Sequence, residues 1–338
     1  MKTAIIGCGG ISQVHRSVLS AMEGVEIVGV ADIKPARAQA AAAACGARAY
    51  ENYLTMLDAE APDCVHICTP HALHTPMALE ALRRGIHVLT EKPCAVSQAE
   101  SDALIRAQRE SGRQVGVCFQ NRYNPAVQAL RAALAQPETG PVEAIRAFVT
   151  WNRGKDYYSD DWHGTRALEC GGVLINQAIH TVDLIQYLGG GCKAVTGHVS
   201  NDHLQGVIEV EDTAALRMTL QNGGVALLYA TTAYSEDARV LIEIRCANAV
   251  FRLEGGDLLF RIEADGTPVR LPTQAPAETL GKQYWGGGHT ALIRDFYDHL
   301  AAGTPFPIDA VEGGKACAIV AACYRSAGGE LEGKEVQL

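Results

Sequence analysis

The chain has no apolar run near the ~20 residues that a membrane-spanning helix needs, so a membrane protein is not expected. It contains no CxxC pair and no spacing suited to a structural zinc site, so no metal is expected. It has no internal repeat and no disordered linker. The one low-complexity stretch, AQAAAAAC at 38–45, reads as a helix of strong formers. Positive charge is not in excess either. The formal net charge is −9, which argues against nucleic acid or anionic membrane as a partner. Met1-Lys2-Thr3 runs straight into the strand-like Ala4-Ile5-Ile6 and breaks at Gly7, leaving no room for a secretory signal.

What is present suits two globular domains. The 338 residues exceed one ordinary domain, with 48% apolar and 20% charged residues. The cysteines number eleven, an odd count, and several lie in apolar runs: Cys64 and Cys68 in CVHICTP, Cys118 in VGVCFQ. Buried, reduced thiols in the cytoplasm explain them best.

The first ~120 residues alternate strand and helix patterns, which predicts a doubly wound parallel sheet. Strands are expected at 3–6, 26–31, 64–68, 87–90 and 114–119, and helices at 11–22, 35–45, 74–84 and 98–111. Gly85 and Gly112 sit where two of those helices should stop. After Pro125 one more helix, 126–135, gives way to β-branched runs such as VEAIRAFVTW, DTAALRMTL and RVLIEIRCA. Turns at Asn222-Gly223-Gly224 and Glu254-Gly255-Gly256 separate several of them. These predict a mostly antiparallel sheet with hairpins, interrupted by a helix at about 172–188 and followed by a helical tail, 288–328. The fold class is therefore α/β, with domains at 1–122 and 123–338, and the C-terminal helices can pack back on the first domain.

The first motif is Gly7-Cys8-Gly9-Gly10-Ile11-Ser12 between a strand and a helix. Gly7 permits a tight turn, and Gly9 lets the backbone approach a pyrophosphate seated on the helix N-terminus. Ser12 replaces the third glycine of GxGxxG. Asp32, at the end of the second strand, can accept from the adenosine ribose hydroxyls and would repel a 2′-phosphate. The favoured cofactor is thus NAD, with Ile33 beside it; Lys34 and Arg37 keep NADP as the alternative. Thr69, Pro70, His71 and His74 follow the third apolar strand and border the same crevice, although His74 equally suits capping or packing.

The strand HVLT ends in Glu91-Lys92-Pro93. A lysine there could polarise a substrate oxygen, or be a solvated turn lysine. Asn176 and His180 lie four apart, so a helix would place them on one face, with Asp183 three residues on. His180 suits a general base, but a core histidine reads the same way. The aromatic and basic loop with Trp151, Arg153, Tyr157, Tyr158, Trp162 and His163 could frame a sugar ring, as could Asn121, Arg122, Tyr123 and the later Tyr284-Trp285 pair.

Taken in order, GCGGISxxH, TPxxxH, HVLxEKP and GGVLxxxxxHxxD resemble the Gfo/Idh/MocA family of oxidoreductases over nearly the whole chain. The resemblance implies a Rossmann domain followed by an α/β domain whose open sheet builds homodimers or homotetramers. It implies that Lys92 and His180 are the catalytic pair, that Glu91 lies near the nicotinamide ribose, and that Lys92-Pro93 is often cis. Pro93, Asn121 and Trp162 join the cofactor set; Lys92, Arg122, Tyr123, Trp151, Arg153, Tyr158, His163, Asn176, Gln177, His180 and Tyr284 form the expected substrate set. Inositol-type members carry aspartate where this chain has Asn176, and asparagine cannot share a proton with the histidine. Asn176-Gln177 is similar to relatives that oxidise C3 of hexopyranosides or nucleotide-linked sugars. The expected function is hydride transfer between such a carbon and NAD. Inositol dehydrogenase, an NAD-dependent glycosidase and a non-catalytic NAD sensor stand as alternatives.

Overall fold

The computed structural model describes residues 1–274, 287–328 and 335–338. Its first strand, β1 (Lys2–Ile6), turns on glycine into α1 (Gly10–Ser20). The alternation continues through β2 (Glu26–Ala31), α2 (Pro35–Cys45), β3 (Arg48–Tyr50), α3 (Tyr53–Glu60), β4 (Cys64–Ile67), α4 (His74–Arg83), β5 (His87–Thr90), α5 (Gln98–Ser111) and β6 (Val115–Val117). These strands form one parallel sheet in the order β3-β2-β1-β4-β5-β6. β4 and β6 are buried at every residue, which is why they read as unbroken apolar runs. The strand order reverses between β1 and β4, where a ligand crevice is expected.

The later elements are α6 (Pro125–Leu134), β7 (Val142–Thr150), α7 (Ile179–Leu188), β8 (Cys192–Ser200), β9 (Thr213–Leu220), β10 (Val225–Thr231), β11 (Leu241–Cys246), β12 (Val250–Glu254), β13 (Leu258–Ile262), β14 (Pro268–Arg270), α8 (Gly288–Ala302), α9 (Ala310–Ala327) and β15 (Val336–Gln337). Nine strands make the second sheet, in the order β14-β13-β12-β11-β7-β10-β9-β8-β15. All its pairs are antiparallel except β7 with β10. Burial alternates along β7, β9 and β10, so one face is covered and the other is open.

The chain forms two compact units. The first joins Met1–Gln120 to the stretch 277–314; the second joins 121–276 to 315–338. In the first, α8 packs against the sheet: Phe296 fills the space above Gly116 and Leu89. Its neighbour Tyr297 begins a hydrogen-bonded line through the core. The Tyr297 hydroxyl meets Thr3 Oγ1 at 2.8 Å and His66 Nε2 at 3.0 Å. His66 Nδ1 meets His15 Nδ1 at 2.7 Å, and His15 Nε2 reaches a carboxylate oxygen of Glu91 at 3.0 Å. Thr3, His15 and His66 are fully buried.

Two expectations are corrected. The helix expected at 172–188 is regular only from Ile179; residues 171–178 are turns. Cys170 at φ +65° and Gly171 at φ +156° break the backbone just before, and Gly172 lies so close to the Glu211 carbonyl that a Cβ would sit 1.8 Å from it. Asn176 therefore precedes the regular helix, in a stretch whose N–H groups still bond four or five residues back. The region 48–60, where nothing was predicted, holds β3 and α3; β3 is too short and too exposed to show a pattern.

Gly7 has φ +90°, and a Cβ there would lie 2.5 Å from the Cys68 carbonyl oxygen, whereas no described residue lies within 4 Å of the Cβ position at Gly9. Thermal melts should show Gly7→Ala destabilised by roughly 2 kcal/mol or more and Gly9→Ala, an N-cap change, by only about 1 kcal/mol. Equal melting temperatures would contradict the close approach. Burial lowers the pKa of His15, His66 and His74, so folding disfavours their protonation. The unfolded chain then binds more protons below about pH 6.5, and stability should fall as pH drops from 7 to 5. Denaturant titrations across that window test this; a flat midpoint would refute it.

Candidate active site

In the first unit, the predicted cofactor residues from Gly7 to Pro93 lie at the carboxyl ends of the strands, whereas Asn121 and Trp162, expected with them, belong to the second unit. Cys68 N–H donates to the Ile6 carbonyl at 2.7 Å and Gly7 N–H to the Ala31 carbonyl at 2.8 Å, which sets the glycine turn against the ends of β2 and β4. Ser12 is fully buried, and its hydroxyl donates to the Gly9 carbonyl at 2.6 Å, so a small residue does fill the third glycine position. Gly9 caps α1 with no side-chain hydrogen bond, and Gly10 and Ile11 open the helix. The helix N-terminus and the open space at Gly9 together suit a pyrophosphate. Asp32 supports the same turn: one carboxylate oxygen accepts from Cys8 N–H and the other from Lys34 N–H, each at 2.8 Å. Ile33 is 84% exposed and Arg37 is also exposed, both just past the strand.

His74 ties two strand ends together. Its Nδ1 lies 2.8 Å from the Pro93 carbonyl and its Nε2 2.7 Å from the Thr69 carbonyl. Burial lowers its pKa, against the pull of those two carbonyls. Thr69 and Pro70 are half-buried and His71 is buried beside it. The Lys92-Pro93 peptide is cis. Lys92 is half-buried, and its N–H donates to Glu91 Oε2 at 3.3 Å. Glu91 is 6% exposed, and its Oε1 accepts from His15 Nε2 and also from His289 Nε2, at 3.1 Å. Burial alone would raise the Glu91 pKa; the hydrogen bonds from His15 and His289 overcome this and hold it well below the carboxylate range. The ligand atoms of His15, Glu91 and Cys118 lie within 4.8 Å of one another, an arrangement those hydrogen bonds already explain.

In the second unit, Asn176 and Gln177 sit in the turns before α7, with His180 half-buried at its second residue. Asn176 Nδ2 donates to Glu169 Oε1, and the other Glu169 oxygen accepts from Gly164 N–H. Glu169 thus fixes which way round the Asn176 amide sits. The Tyr157 hydroxyl accepts from Asn176 Nδ2 at 3.4 Å and from Gln177 Nε2 at 3.3 Å. Gln177 Oε1 is buried and has no hydrogen-bond partner among the described residues. Tyr157 also packs on His163, with ring centroids 4.6 Å apart, and His163 on Trp162 at 3.8 Å. Arg153 stacks over Trp151 at 4.9 Å and pairs with Asp237 at 2.6 Å. The Tyr158 hydroxyl donates to Thr232 Oγ1 at 3.2 Å. Burial pushes the Tyr158 pKa up to about 12, so it stays a phenol.

Arg122 is held by Asp183 through two hydrogen bonds of 2.8 and 2.6 Å, with 4% and 1% of the side chains exposed. Its guanidinium lies 4.1 Å from the Tyr187 ring centroid. Buried and paired in this way, Arg122 anchors α7 to the segment after β6, where Asn121 and Tyr123 are half-buried. Tyr284 and Trp285 lie outside the described residues. Glu169 escaped the sequence reading, since nothing in its neighbourhood marks it. His15 was visible in the GCGGISxxH spacing without an assigned role.

Comparison with known proteins shows the family. Residues 1–119 match the model of the GFO_IDH_MocA oxidoreductase family with an NAD-binding Rossmann fold, and residues 127–252 match the GFO/IDH/MocA C-terminal domain. A UDP-N-acetylglucosamine 3-dehydrogenase from Acidithiobacillus ferrooxidans is 30% identical over 318 residues, 93% of each chain. A glucose-6-phosphate 3-dehydrogenase from Bacillus subtilis is 30% identical over 191 residues; the match takes in 55% of this chain and 53% of that one, so this chain spans about half of that relative's length. The WlbA dehydrogenase from Bordetella pertussis, solved in complex with NADH and UDP-GlcNAcA, superposes with a TM-score of 0.87 at 27% identity, over 100% of this chain and 98% of that one. With its glycine turn, Asp32, Glu91-Lys92-Pro93 and the open second sheet, the chain belongs to the Gfo/Idh/MocA family of NAD-binding oxidoreductases.

Proposed function

We propose that the protein is an NAD-dependent dehydrogenase acting on the C3 hydroxyl of a hexopyranoside or nucleotide-linked sugar. The observation that carries this is the neutral amide pair Asn176–Gln177, oriented by Glu169 and Tyr157. Amides both donate and accept, which suits sugar hydroxyls, and they add no charge beside the reacting oxygen. The dehydrogenases similar to this chain from Acidithiobacillus ferrooxidans and Bacillus subtilis are both named for position 3.

The proposed division of work follows from side-chain chemistry. The Lys92 ammonium donates to the substrate oxygen and stabilises charge developing there. The His180 imidazole accepts the hydroxyl proton as the carbon–hydrogen bond breaks and the carbonyl forms. Bound NAD⁺ supplies the hydride acceptor. Asn176 positions the ring through its fixed amide. Tyr157, Trp162 and His163 offer aromatic faces to a pyranose.

Two further parts of the reading concern setting. All eleven cysteines are free thiols, in keeping with a cytoplasmic protein. Among the described residues no helix is long and apolar enough to cross a membrane. The open face of the nine-stranded sheet exposes Phe148 on β7 and, on the adjacent β10, Leu227 and Tyr229; Tyr229 pairs directly with Phe148. A second copy of the chain is the proposed cover for this face, as homodimer or homotetramer.

Lys92→Ala and His180→Ala should each lower turnover ~10²-fold or more while NAD binding survives. Stoichiometric NADH formation, screened against cyclitols, hexoses, alkyl glycosides and nucleotide sugars, is the measurement. Wild-type turnover in both variants would end the assignment. Aglycone release without net NADH would convert it to a glycosidase. Replacing Phe148 and Leu227 by glutamate should reduce the mass seen by light scattering to that of a monomer; an unchanged mass would exclude this face as the interface.

A further inference from the structure

Glu91 and Asp32 stand on opposite sides of the reversal in strand order, at the ends of β5 and β2. A dinucleotide laid across that reversal with its adenosine ribose at Asp32 has its nicotinamide half on the side of β4 to β6. Glu91 is thus a buried carboxylate on the half that receives the ring whose charge changes. The oxidised ring is a cation and the reduced ring is neutral.

The donors to Glu91 are unusually well fixed. A carboxylate only accepts, so the proton at the His15 contact is on Nε2. Burial keeps the His15 ring neutral, so its Nδ1 accepts from His66 Nδ1–H. His66, also neutral through burial, then accepts at Nε2 from the Tyr297 hydroxyl, which accepts in turn from Thr3. Every hydrogen bond in this buried line points towards Glu91. From the other side, α8 brings His289 Nε2 to the same oxygen.

We propose that His15 and His289 are positioning residues that keep Glu91 an anion, and that this anion makes the protein prefer the oxidised, cationic form of the cofactor over the reduced form. The groups facing Glu91 are His15 from α1, His66 and Cys68 from β4 and its end, His74 from α4, Cys118 beyond β6 and His289 from α8, with Lys92 adjoining it in the chain. The line through His66, Tyr297 and Thr3 holds the His15 ring in the tautomer that donates. Without its donors, burial would favour the protonated carboxyl.

The test is the ratio of Kd for NADH to Kd for NAD⁺, titrated calorimetrically on the full chain between pH 5.5 and 8.5. It reads binding alone, so its outcome is separate from that of the sugar-oxidation reading. In the wild type the ratio should change less with pH than in a variant that lacks a donor, because the donors hold Glu91 charged. Glu91→Gln should shift the ratio roughly tenfold in favour of NADH at every pH. His15→Leu should produce that shift at low pH and lose it as pH rises, while His15→Gln, which keeps a donor, should restore the wild-type profile. Should His15→Leu fail to fold, His289→Gln against His289→Leu makes the same comparison from α8. If Glu91→Gln weakens both forms equally, or the ratio in the leucine variants changes no more with pH than in the wild type, the residues are structural only and the proposal is overturned.

Discussion

A buried carboxylate with two imidazole donors on one oxygen organises the first unit. Glu91 sits at a strand end, yet its partners come from α1 and α8, on opposite sides in sequence. An ion so enclosed is costly unless every lone pair is used. Meeting that demand dictates where the two helices lie, which tautomers His15 and His66 adopt, and why Thr3 and Tyr297 are polar inside an apolar core. The glycine turn depends on the same framework, because α1 both starts at Gly10 and carries His15.

The second unit solves a related problem differently. Glu169 and Glu211 are also buried, but mainly backbone groups answer them: Gly164 N–H for the first, Gly172 and Leu174 N–H for the second, with the Tyr324 hydroxyl added at 2.8 Å. Burial raises the Glu211 pKa in spite of these bonds. Two carboxylates thereby shape the irregular stretch between Gly164 and Ala178, Glu169 holding the Asn176 amide while the Tyr157 hydroxyl meets that of Gln177. Arg122 and Asp183 then lock the following helix, and deleting either partner would strand a buried charge at a cost of about 3–5 kcal/mol.

Much of this was legible in the sequence where local rules decide. The parallel sheet followed from alternating patterns, and β2, α2, β5 and α5 fell at the expected residues because flanking turns and glycines mark them. The open sheet was readable from β-branched runs and double-glycine turns, although the parallel pairing of β7 with β10 was not, since pairing between distant strands leaves no local trace. Residues 172–178 misled for a definite reason: their apolar spacing is helical, but Cys170 and Gly171 adopt dihedrals that no periodicity reports. In the site, the glycine turn, Asp32 and Lys92 stood out by spacing. Glu169 and the histidine line did not, because their meaning arises only when residues far apart in the chain meet.

The hydrogen bond between Thr3 and Tyr297 spans 294 residues. During synthesis, the strand carrying Thr3 leaves the ribosome long before α8, and the second sheet from β7 to β14 is made between them. For all that time the polar groups of Thr3, His66 and His15 lack the helix that completes their line, and Gly116 lacks the ring that covers it. The nascent first unit is therefore an unfinished core, closed late and from the far end of the chain. Loss of α8 would harm the unit whose strands are made long before it.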